Sequence, residues 1–241
     1  MRSVFLILLF VLLFPIESSA IYKWIDKDGA VHFSDTPPED KGNIPEIMRE
    51  IKRFKKDGFD DGKIDTKWML FNKDNGSFDA KKNSGFLTIE SKAKSNIWTS
   101  GIFSPIIYQQ VDAGMNFTVE TKMEYISGGV DKAGFVIWSI FNKNWITFAR
   151  EENSVHLVTS TRGEIYEEIK KDIPAPAGSE IYLKIEKTDK RIICYFSLNG
   201  LDWNYVGDSY LEFDNYINLG FFAASWGDKQ ASAKFDYFKV Y

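Results

Sequence analysis

From Phe59 to the end of the chain, apolar and polar residues alternate over many short segments, which is the period of β-strands. Turn signals such as Asn199-Gly200 separate these segments. Two segments, 135–138 and 221–224, are apolar at every position, which predicts central strands or strands with a second aromatic surface. Many short strands with almost no helix predict an all-β fold of two stacked antiparallel sheets.

The first twenty residues have a different pattern. Arg2 precedes a run of 13 apolar residues from Val4 to Ile16, and Ser18 and Ala20 follow it. A positive charge, an apolar run and small residues, in this order, are typical of a secretory signal peptide. A membrane anchor is the alternative, but a span needs about 20 apolar residues. We therefore predict a signal peptide over residues 1–20, no transmembrane segment after its cleavage, and a periplasmic or secreted protein.

Residues 21–58 contain a predicted hairpin and a predicted helix. Two alternating runs lie on either side of Asp28-Gly29, a dipeptide that favours a tight turn, and this predicts a β-hairpin module over 21–38. Within the linker predicted over 39–58, apolar residues from Pro45 to Lys56 recur at a helical period among basic residues. This short helix either packs on its neighbour or binds an anionic surface. The remaining residues, 59–241, form the predicted sandwich domain.

Composition and charge narrow the classes of function. The chain has 30 Lys and Arg against 34 Asp and Glu, a net charge of −4, which argues against a nucleic-acid partner. A single cysteine, Cys194, excludes a disulfide framework and Cys-based metal clusters. Its apolar surroundings predict a buried side chain. Aromatic residues make up 16% of the chain, and they include seven tryptophans.

Two segments resemble known families. Tyr22-Lys23-Trp24-Ile25-Asp26 and His32-Phe33-Ser34-Asp35 resemble a small module of bacterial envelope proteins, the domain of unknown function 4124. This resemblance implies a Gram-negative bacterium. Residues 59–241 are similar to a concanavalin A-like jelly roll, the non-catalytic module at the C-terminus of some β-xylosidases (domain of unknown function 1349). Six segments carry this second resemblance: Phe59-Asp60-Asp61-Gly62, Ala133-Gly134-Phe135, Asn144-Trp145-Ile146-Thr147-Phe148, Tyr195-Phe196-Ser197-Leu198-Asn199-Gly200, Leu219-Gly220-Phe221-Phe222 and Phe235-Asp236-Tyr237-Phe238.

The jelly-roll resemblance also implies a metal site. A structural calcium ion often lies where the first and last strands of such proteins meet, and Asp60 and Asp236 are its candidate ligands here. Calcium takes about six to eight oxygen ligands. Because the sequence offers only a few, solvated carboxylates in turns are the alternative. The sequence indicates no other cofactor.

Catalysis is not expected from the sequence. Glycoside hydrolysis requires two carboxylates on either side of one bond, and a strand supplies them on one face at alternate positions. Glu212 and Asp214 are the closest approach to such a run, but they lack a third acid. We therefore expect a protein that is not an enzyme, with a degenerate glycoside hydrolase as the alternative.

Tryptophans suggest a glycan surface. Trp138 and Trp145 lie on either side of a predicted turn, and sugar C–H groups stack on indole rings. Small residues on the next strand would leave an open floor between the two rings. The predicted ligand-binding residues are Trp138, Trp145, Thr147, Glu151, His156 and Trp226. The alternative places Trp138 and Trp145 in the core between the sheets, where we also place Trp68 and Trp203.

Three functions remain open at this point. The first is a secreted or periplasmic, non-catalytic jelly-roll protein that binds carbohydrate weakly. The second is a structural or protein-interaction component of the cell envelope, and the third is a degenerate hydrolase. The corresponding partners are a polysaccharide or an envelope protein.

Overall fold

The computed structural model divides the chain into two units, Met1–Arg53 and Phe54–Tyr241. The signal peptide predicted for residues 1–20 lies outside the described residues. In the first unit the structure describes the backbone of three strands. In the second unit it describes residues 56–98, 101–126, 131–139, 143–176 and 178–241.

The first unit contains a three-stranded antiparallel sheet. Its strands are β1 (Ile21–Ile25), β2 (Val31–Ser34) and β3 (Glu46–Met48), in the order β2-β1-β3. The predicted hairpin is therefore present as β1 and β2. The helix predicted from Pro45 is wrong at its start, because β3 pairs with Ile21–Lys23. A helix of about eleven residues is marginal alone, whereas the free edge of β1 offers backbone hydrogen bonds.

The second unit is a sandwich of two large antiparallel sheets, as predicted. The seven-stranded sheet has the order β14-β13-β12-β11-β18-β9-β4, and the eight-stranded sheet has the order β17-β16-β15-β10-β19-β6-β5, with β20 also paired to β10. The strands are β4 (Met69–Phe71), β5 (Gly76–Asp79), β6 (Leu87–Ser91), β7 (Ile97–Trp98), β8 (Gly101–Ile102), β9 (Ile106–Asp112), β10 (Phe117–Ile126), β11 (Asp131–Trp138), β12 (Trp145–Glu151), β13 (Ser154–Thr161), β14 (Glu164–Asp172), β15 (Glu180–Thr188), β16 (Arg191–Ser197), β17 (Asn204–Tyr210), β18 (Tyr216–Ser225), β19 (Ala231–Phe235) and β20 (Lys239–Val240).

The core between the sheets is aromatic. The rings of Phe221 on β18 and Phe235 on β19 stack with centroids 4.1 Å apart, which joins the two sheets. Phe135 stacks on Phe221 from the neighbouring strand at 5.2 Å. Cys194 is fully buried, as predicted, and burial raises the pKa of its thiol well above the usual value. The segment 221–224, which is apolar at every position, therefore belongs to a central strand with one face in this core.

The first and last segments of the second unit meet beside Trp68. The Nε1 atom of this buried indole donates a 2.7 Å hydrogen bond to Asp57 Oδ2, and Asp57 forms a backbone bridge with Phe238. The ring of Phe238 meets the indole edge-on, with centroids 4.8 Å apart. Trp68 lies in the core, as predicted.

A fully buried arginine holds the connection between the two sheets. Arg150, at the end of β12, donates from Nη2 to the Pro176 carbonyl at 2.9 Å and from Nη1 to the Ser179 carbonyl. Its Nε donates to the Glu152 carbonyl at 2.9 Å. Pro176 and Ser179 belong to the segment through which the chain leaves β14 and enters β15. The guanidinium therefore ties this crossover to the end of β12.

Candidate functional site

The outer face of the seven-stranded sheet carries most of the residues that the sequence singled out. On β11, alternate residues point to the core or away from it, and Lys132, Gly134, Val136 and Trp138 lie on the outer face. The strand register aligns Val136 with Thr147 of β12 and with Gly220 of β18. Because opposite residues of paired strands share a face, β12 and β18 continue this surface across the sheet.

One end of the outer face is a second apolar cluster. Trp138 and Trp145 are register partners, and they are only 2% and 4% exposed. The ring of Tyr108 meets Trp138 edge-on, with centroids 4.7 Å apart. Ile97 of β7 belongs to the same cluster. These indoles therefore lie neither in the core between the sheets nor on an open platform.

The small residues predicted to form an open surface between the two indoles, Thr147 and Ala149, are also covered. Thr147 is 4% exposed, and Ala149 beside it is fully buried. Ile97 and, in part, Trp98 and Ile102 of strands β7 and β8 pack into this apolar cluster. The middle of the outer face is therefore packed rather than open.

The other end of the outer face carries a charged cluster of Lys132, Glu151, His156 and Glu168, one residue from each of β11 to β14. Lys132 Nζ lies 3.3 Å from Glu151 Oε2 and 3.7 Å from Glu168 Oε1. His156 lies between the same carboxylates, with Nε2 at 3.1 Å from Glu151 Oε2 and Nδ1 at 3.5 Å from Glu168 Oε1. The two glutamates remain partly exposed, while Lys132 and His156 are buried.

The histidine of this cluster is held neutral. Burial lowers the pKa of His156 below its ordinary value of 6.5, and the positive charge of Lys132 lowers it further, against the opposing effect of Glu151. Ser154 Oγ lies 3.0 Å from His156 Nε2. A neutral imidazole keeps one nitrogen as a hydrogen-bond acceptor and one as a donor. Lys132 Nζ lies 3.4 Å from Nδ1, so both ring nitrogens have polar partners within the cluster.

A tryptophan borders the charged cluster. Trp226 is partly buried, and Lys132 Nζ lies 5.3 Å from the centre of its ring, within the range of a cation–π contact. Trp98 meets Trp226 edge-on with centroids 6.5 Å apart, and it is partly buried as well. The structure thus brings Glu151, His156 and Trp226 together, and it places Trp138 and Trp145 at the other end of the face.

The family of the second unit follows from its sequence. Residues 56–241 match the family model described as the Beta xylosidase C-terminal Concanavalin A-like domain. The chain belongs to this family. The domain of unknown function 1349, named from the sequence, is thus replaced by this description, while the β-xylosidase C-terminal resemblance is confirmed. Residues 8–49 match the model of the Domain of unknown function DUF4124, as the sequence indicated.

Solved structures share the fold of this family member. The GH43 protein BlXynB from Bacillus licheniformis is 18% identical with a TM-score of 0.64, and the match covers 90% of this chain and 45% of that one. A functionally unknown protein from Saccharomyces cerevisiae is 14% identical with a TM-score of 0.59, covering 73% of this chain and 96% of its own. SCLam, a non-specific endo-beta-1,3(4)-glucanase from family GH16, is 15% identical with a TM-score of 0.57, covering 78% and 89%.

These comparisons establish the concanavalin A-like sandwich, a fold shared with GH43 and GH16 glycoside hydrolases. The chain spans less than half the length of the GH43 protein that it matches. A search of curated proteins finds no match. In the described part of the chain, no helix is long and apolar enough to cross a membrane.

The residues predicted to bind calcium do not fit the ion. Lys122 Nζ lies 3.8 Å from Asp236 Oδ2. The pKa of Asp236 is raised, mainly because the carboxyl group is buried. The positive charges of Lys122 and Lys56 act in the opposite direction, and the negative charge of Asp60 raises the pKa further. Within the described residues, no group of three or more His, Cys, Asp or Glu side chains is arranged to hold a metal. Lysine charges therefore face the carboxylate that calcium would need.

Sequence reasoning missed two members of the charged cluster, Lys132 and Glu168. Glu168 follows Glu167 directly in the chain, and adjacent side chains of a strand point to opposite faces. A β-bulge between Thr159 and Ser160 shifts the register of β13 and β14, and Glu168 then pairs with Val158, beside His156. The signal available in the sequence was a titratable residue in or directly beside each of four consecutive predicted strands.

Proposed function

We propose that the protein is a non-catalytic carbohydrate-binding protein of the bacterial cell envelope. The observation that carries this proposal is the charged cluster beside a partly exposed indole, formed by Glu151, Glu168, His156 and Lys132 next to Trp226. The two partly exposed carboxylates can accept hydrogen bonds from sugar hydroxyls, while the indole of Trp226 can stack on sugar C–H groups. The ligand of this site is a polysaccharide.

The arrangement of the two carboxylates favours binding over hydrolysis. A glycosidase holds its acid and its second carboxylate on either side of the bond that breaks. Here Lys132 Nζ lies within 4 Å of both Glu151 and Glu168, at 3.3 and 3.7 Å. The ammonium group thus pairs with both carboxylates, an arrangement that supports binding rather than attack on a glycosidic bond.

The proposed location in the envelope rests on the N-terminus. Residues 1–20 have the order of a secretory signal, and the DUF4124 match overlaps them from residue 8. The mature protein is then periplasmic or secreted and begins at Ile21. N-terminal sequencing of the protein from an envelope fraction tests this, and recovery of a chain that still carries Met1 contradicts it.

Affinity electrophoresis in gels that contain arabinoxylan, xyloglucan or mixed-linkage β-glucan tests the binding. We expect the wild-type protein to be retarded in at least one gel. Glu151→Gln removes the charge that pairs with Lys132. We expect it to lower the affinity for the polysaccharide about tenfold, which corresponds to ~1.4 kcal/mol. Glu152→Gln is the matched control, because Glu152 lies next in the chain and is fully outside the cluster.

The outcomes separate the three functions considered from the sequence. Retardation that Glu152→Gln preserves and Glu151→Gln loses supports glycan binding at the charged cluster. Release of reducing sugar from any of the three polysaccharides contradicts the non-catalytic assignment. Absence of retardation in all gels contradicts the proposal and favours an envelope protein as the partner.

A further inference from the structure

The outer face of the eight-stranded sheet is unusually rich in tyrosine. Five of the eleven tyrosines of the chain lie on this face, on strands β15 to β17 and at the C-terminus, together with one tryptophan directly before β17. We call this surface the tyrosine face; its residues are Tyr182, Tyr195, Trp203, Tyr205, Tyr210 and Tyr241. Trp203 was assigned to the core from the sequence. That assignment is wrong, because Trp203 is only partly buried and its ring lies 4.6 Å from Lys184 Nζ.

Strand register builds the tyrosine face. Residues Ile181, Leu183 and Ile185 of β15 are fully buried in the core, so the alternate residues Tyr182 and Lys184 point outward. Lys184 pairs with Tyr195 of β16, which in turn pairs with Tyr205 of β17. The rings of Tyr195 and Tyr205 meet edge-on with centroids 6.1 Å apart. A lysine and two tyrosines are thereby aligned across three neighbouring strands, and Tyr182 lies at the adjacent outward position of β15.

Three of these rings are open to solvent, and Tyr182, Tyr195 and Trp203 are partly buried. Tyr205 is 48% exposed, Tyr210 66% and Tyr241 49%. Tyrosine and tryptophan combine a large apolar ring with a polar atom and have only two side-chain torsions, so little conformational entropy is lost when they are held by a ligand. Exposed rings of this kind, grouped on one face of a sheet, are typical of a binding surface.

The charges on this face cancel locally. Five lysine and arginine side chains on this face each have an acidic partner there, and the pairs are Lys184–Glu186 at 2.8 Å, Arg191–Asp208 at 2.9 Å, Lys122–Glu180 at 2.5 Å, Lys234–Glu124 at 2.8 Å and Lys239–Glu120 at 3.9 Å. Nucleic acids and anionic membranes are attracted by unpaired positive charge. A face whose charges are paired within it instead matches an uncharged, hydroxyl-rich ligand.

We propose that the tyrosine face is a second binding surface, on the opposite side of the sandwich from the charged cluster, and that its ligand is a neutral polysaccharide. The rings stack on sugar C–H groups, and the paired carboxylates and phenol groups bind sugar hydroxyls. The ligand class is that of the proposed function, but the residues are separate, so either surface can be present without the other.

A double variant tests this surface. Trp203→Ala with Tyr205→Ala removes two partly exposed rings, so the fold is expected to be retained, which a thermal melt checks. Tyr166→Ala is the matched control, because Tyr166 is a 75% exposed tyrosine on β14 of the other sheet. In gels with xyloglucan, arabinoxylan or mixed-linkage β-glucan, we expect the double variant to bind about tenfold more weakly and the control to bind like the wild type.

Comparison with Glu151→Gln separates the two proposals. If the double variant binds like the wild type while Glu151→Gln loses binding, the tyrosine face is overturned and the charged cluster stands. If only the double variant loses binding, the tyrosine face is supported as the binding surface and the proposal for the charged cluster is overturned. A wild-type protein that binds none of the three polysaccharides overturns both. Binding of the wild type to vesicles of phosphatidylserine and phosphatidylcholine, lost in the double variant, also overturns the assignment of a neutral polysaccharide.

If the double variant unfolds, Tyr210→Ala replaces it, since the side chain of Tyr210 is two-thirds exposed and contributes little to packing. Unchanged retardation of Tyr210→Ala then overturns the proposal, and weaker retardation supports it.

Discussion

Trp138 of β11 and Trp145 of β12 are direct register partners on the outer face of the seven-stranded sheet, and both indoles are almost completely buried there. They support the hairpin of these two strands from the side opposite the core. Their burial makes them structural residues of the outer apolar cluster, and this can be measured.

Truncation of either indole should destabilise the protein. Trp138→Ala or Trp145→Ala removes a buried ring and leaves a cavity, and we expect a loss of about 3–5 kcal/mol in the free energy of unfolding. Urea denaturation measures this loss. Trp226→Ala is the control and should cost less, because Trp226 is partly exposed. Near-normal stability of both buried-site variants, with lost polysaccharide binding, would instead support a stacking platform at these residues.

Removal of Lys132 should change the titration of His156. The pKa of His156 is lowered first by burial and next by Lys132. We expect Lys132→Met to raise this pKa, because the positive charge is lost while Glu151 remains. NMR titration of the imidazole measures the change. Lys170→Met is the control, since Lys170 lowers the same pKa less, and a larger rise in that variant would contradict the arrangement of the cluster.

His156 also makes stability depend on pH. Its pKa in the folded protein lies below the ordinary value of 6.5, so the unfolded chain binds the proton more readily. The stability that this difference contributes is fully present above pH 6.5, and it is lost as the pH falls through the lower pKa of the folded state. Denaturation curves between pH 7.5 and about 5 should therefore show a steeper loss for the wild type than for His156→Gln. Parallel curves for the two proteins would show that His156 is not buried in the neutral form.

Calcium should leave the stability unchanged. Lys122 faces the carboxylate of Asp236, and the described residues hold no third acidic or histidine ligand in a metal-binding group with it. An ion that binds only the folded state would raise the melting temperature. We therefore expect the same melting temperature for chelator-treated protein with and without added calcium. An increase that Asp236→Asn abolishes would restore Asp60 and Asp236 as ligands.

The fold could be predicted from the sequence because the alternation of apolar and polar residues and the turn residues are local signals. They predicted a two-sheet sandwich, and the buried position of Trp68 followed from its place at the start of a strand. The face on which Trp203 lies was not predictable in this way. It depends on how many residues the turn after Asn199-Gly200 takes before β17 begins, and a shift of one residue moves a side chain to the other face.

The candidate site was predictable only in part. Glu151 and His156 lie on consecutive strands joined by a tight turn, so their proximity follows from hairpin register. Lys132 and Glu168 join them through pairings between β11 and β12 and across the bulge in β13. Both pairings are set by tertiary contacts. The strand at Glu46–Met48 was missed for the same reason, since its partner strand begins 25 residues earlier, at Ile21.

The Arg150 clamp has a consequence for how the sandwich opens. The guanidinium is fully buried, and its carbonyl partners at Pro176 and Ser179 lie where the chain passes from one sheet to the other. If this crossover frayed alone, the buried guanidinium would lose two of its carbonyl acceptors, which is costly for a buried cation. The crossover therefore exchanges its amide hydrogens with solvent only when the β12 end of the seven-stranded sheet opens as well, which makes the two sheets one cooperative unit.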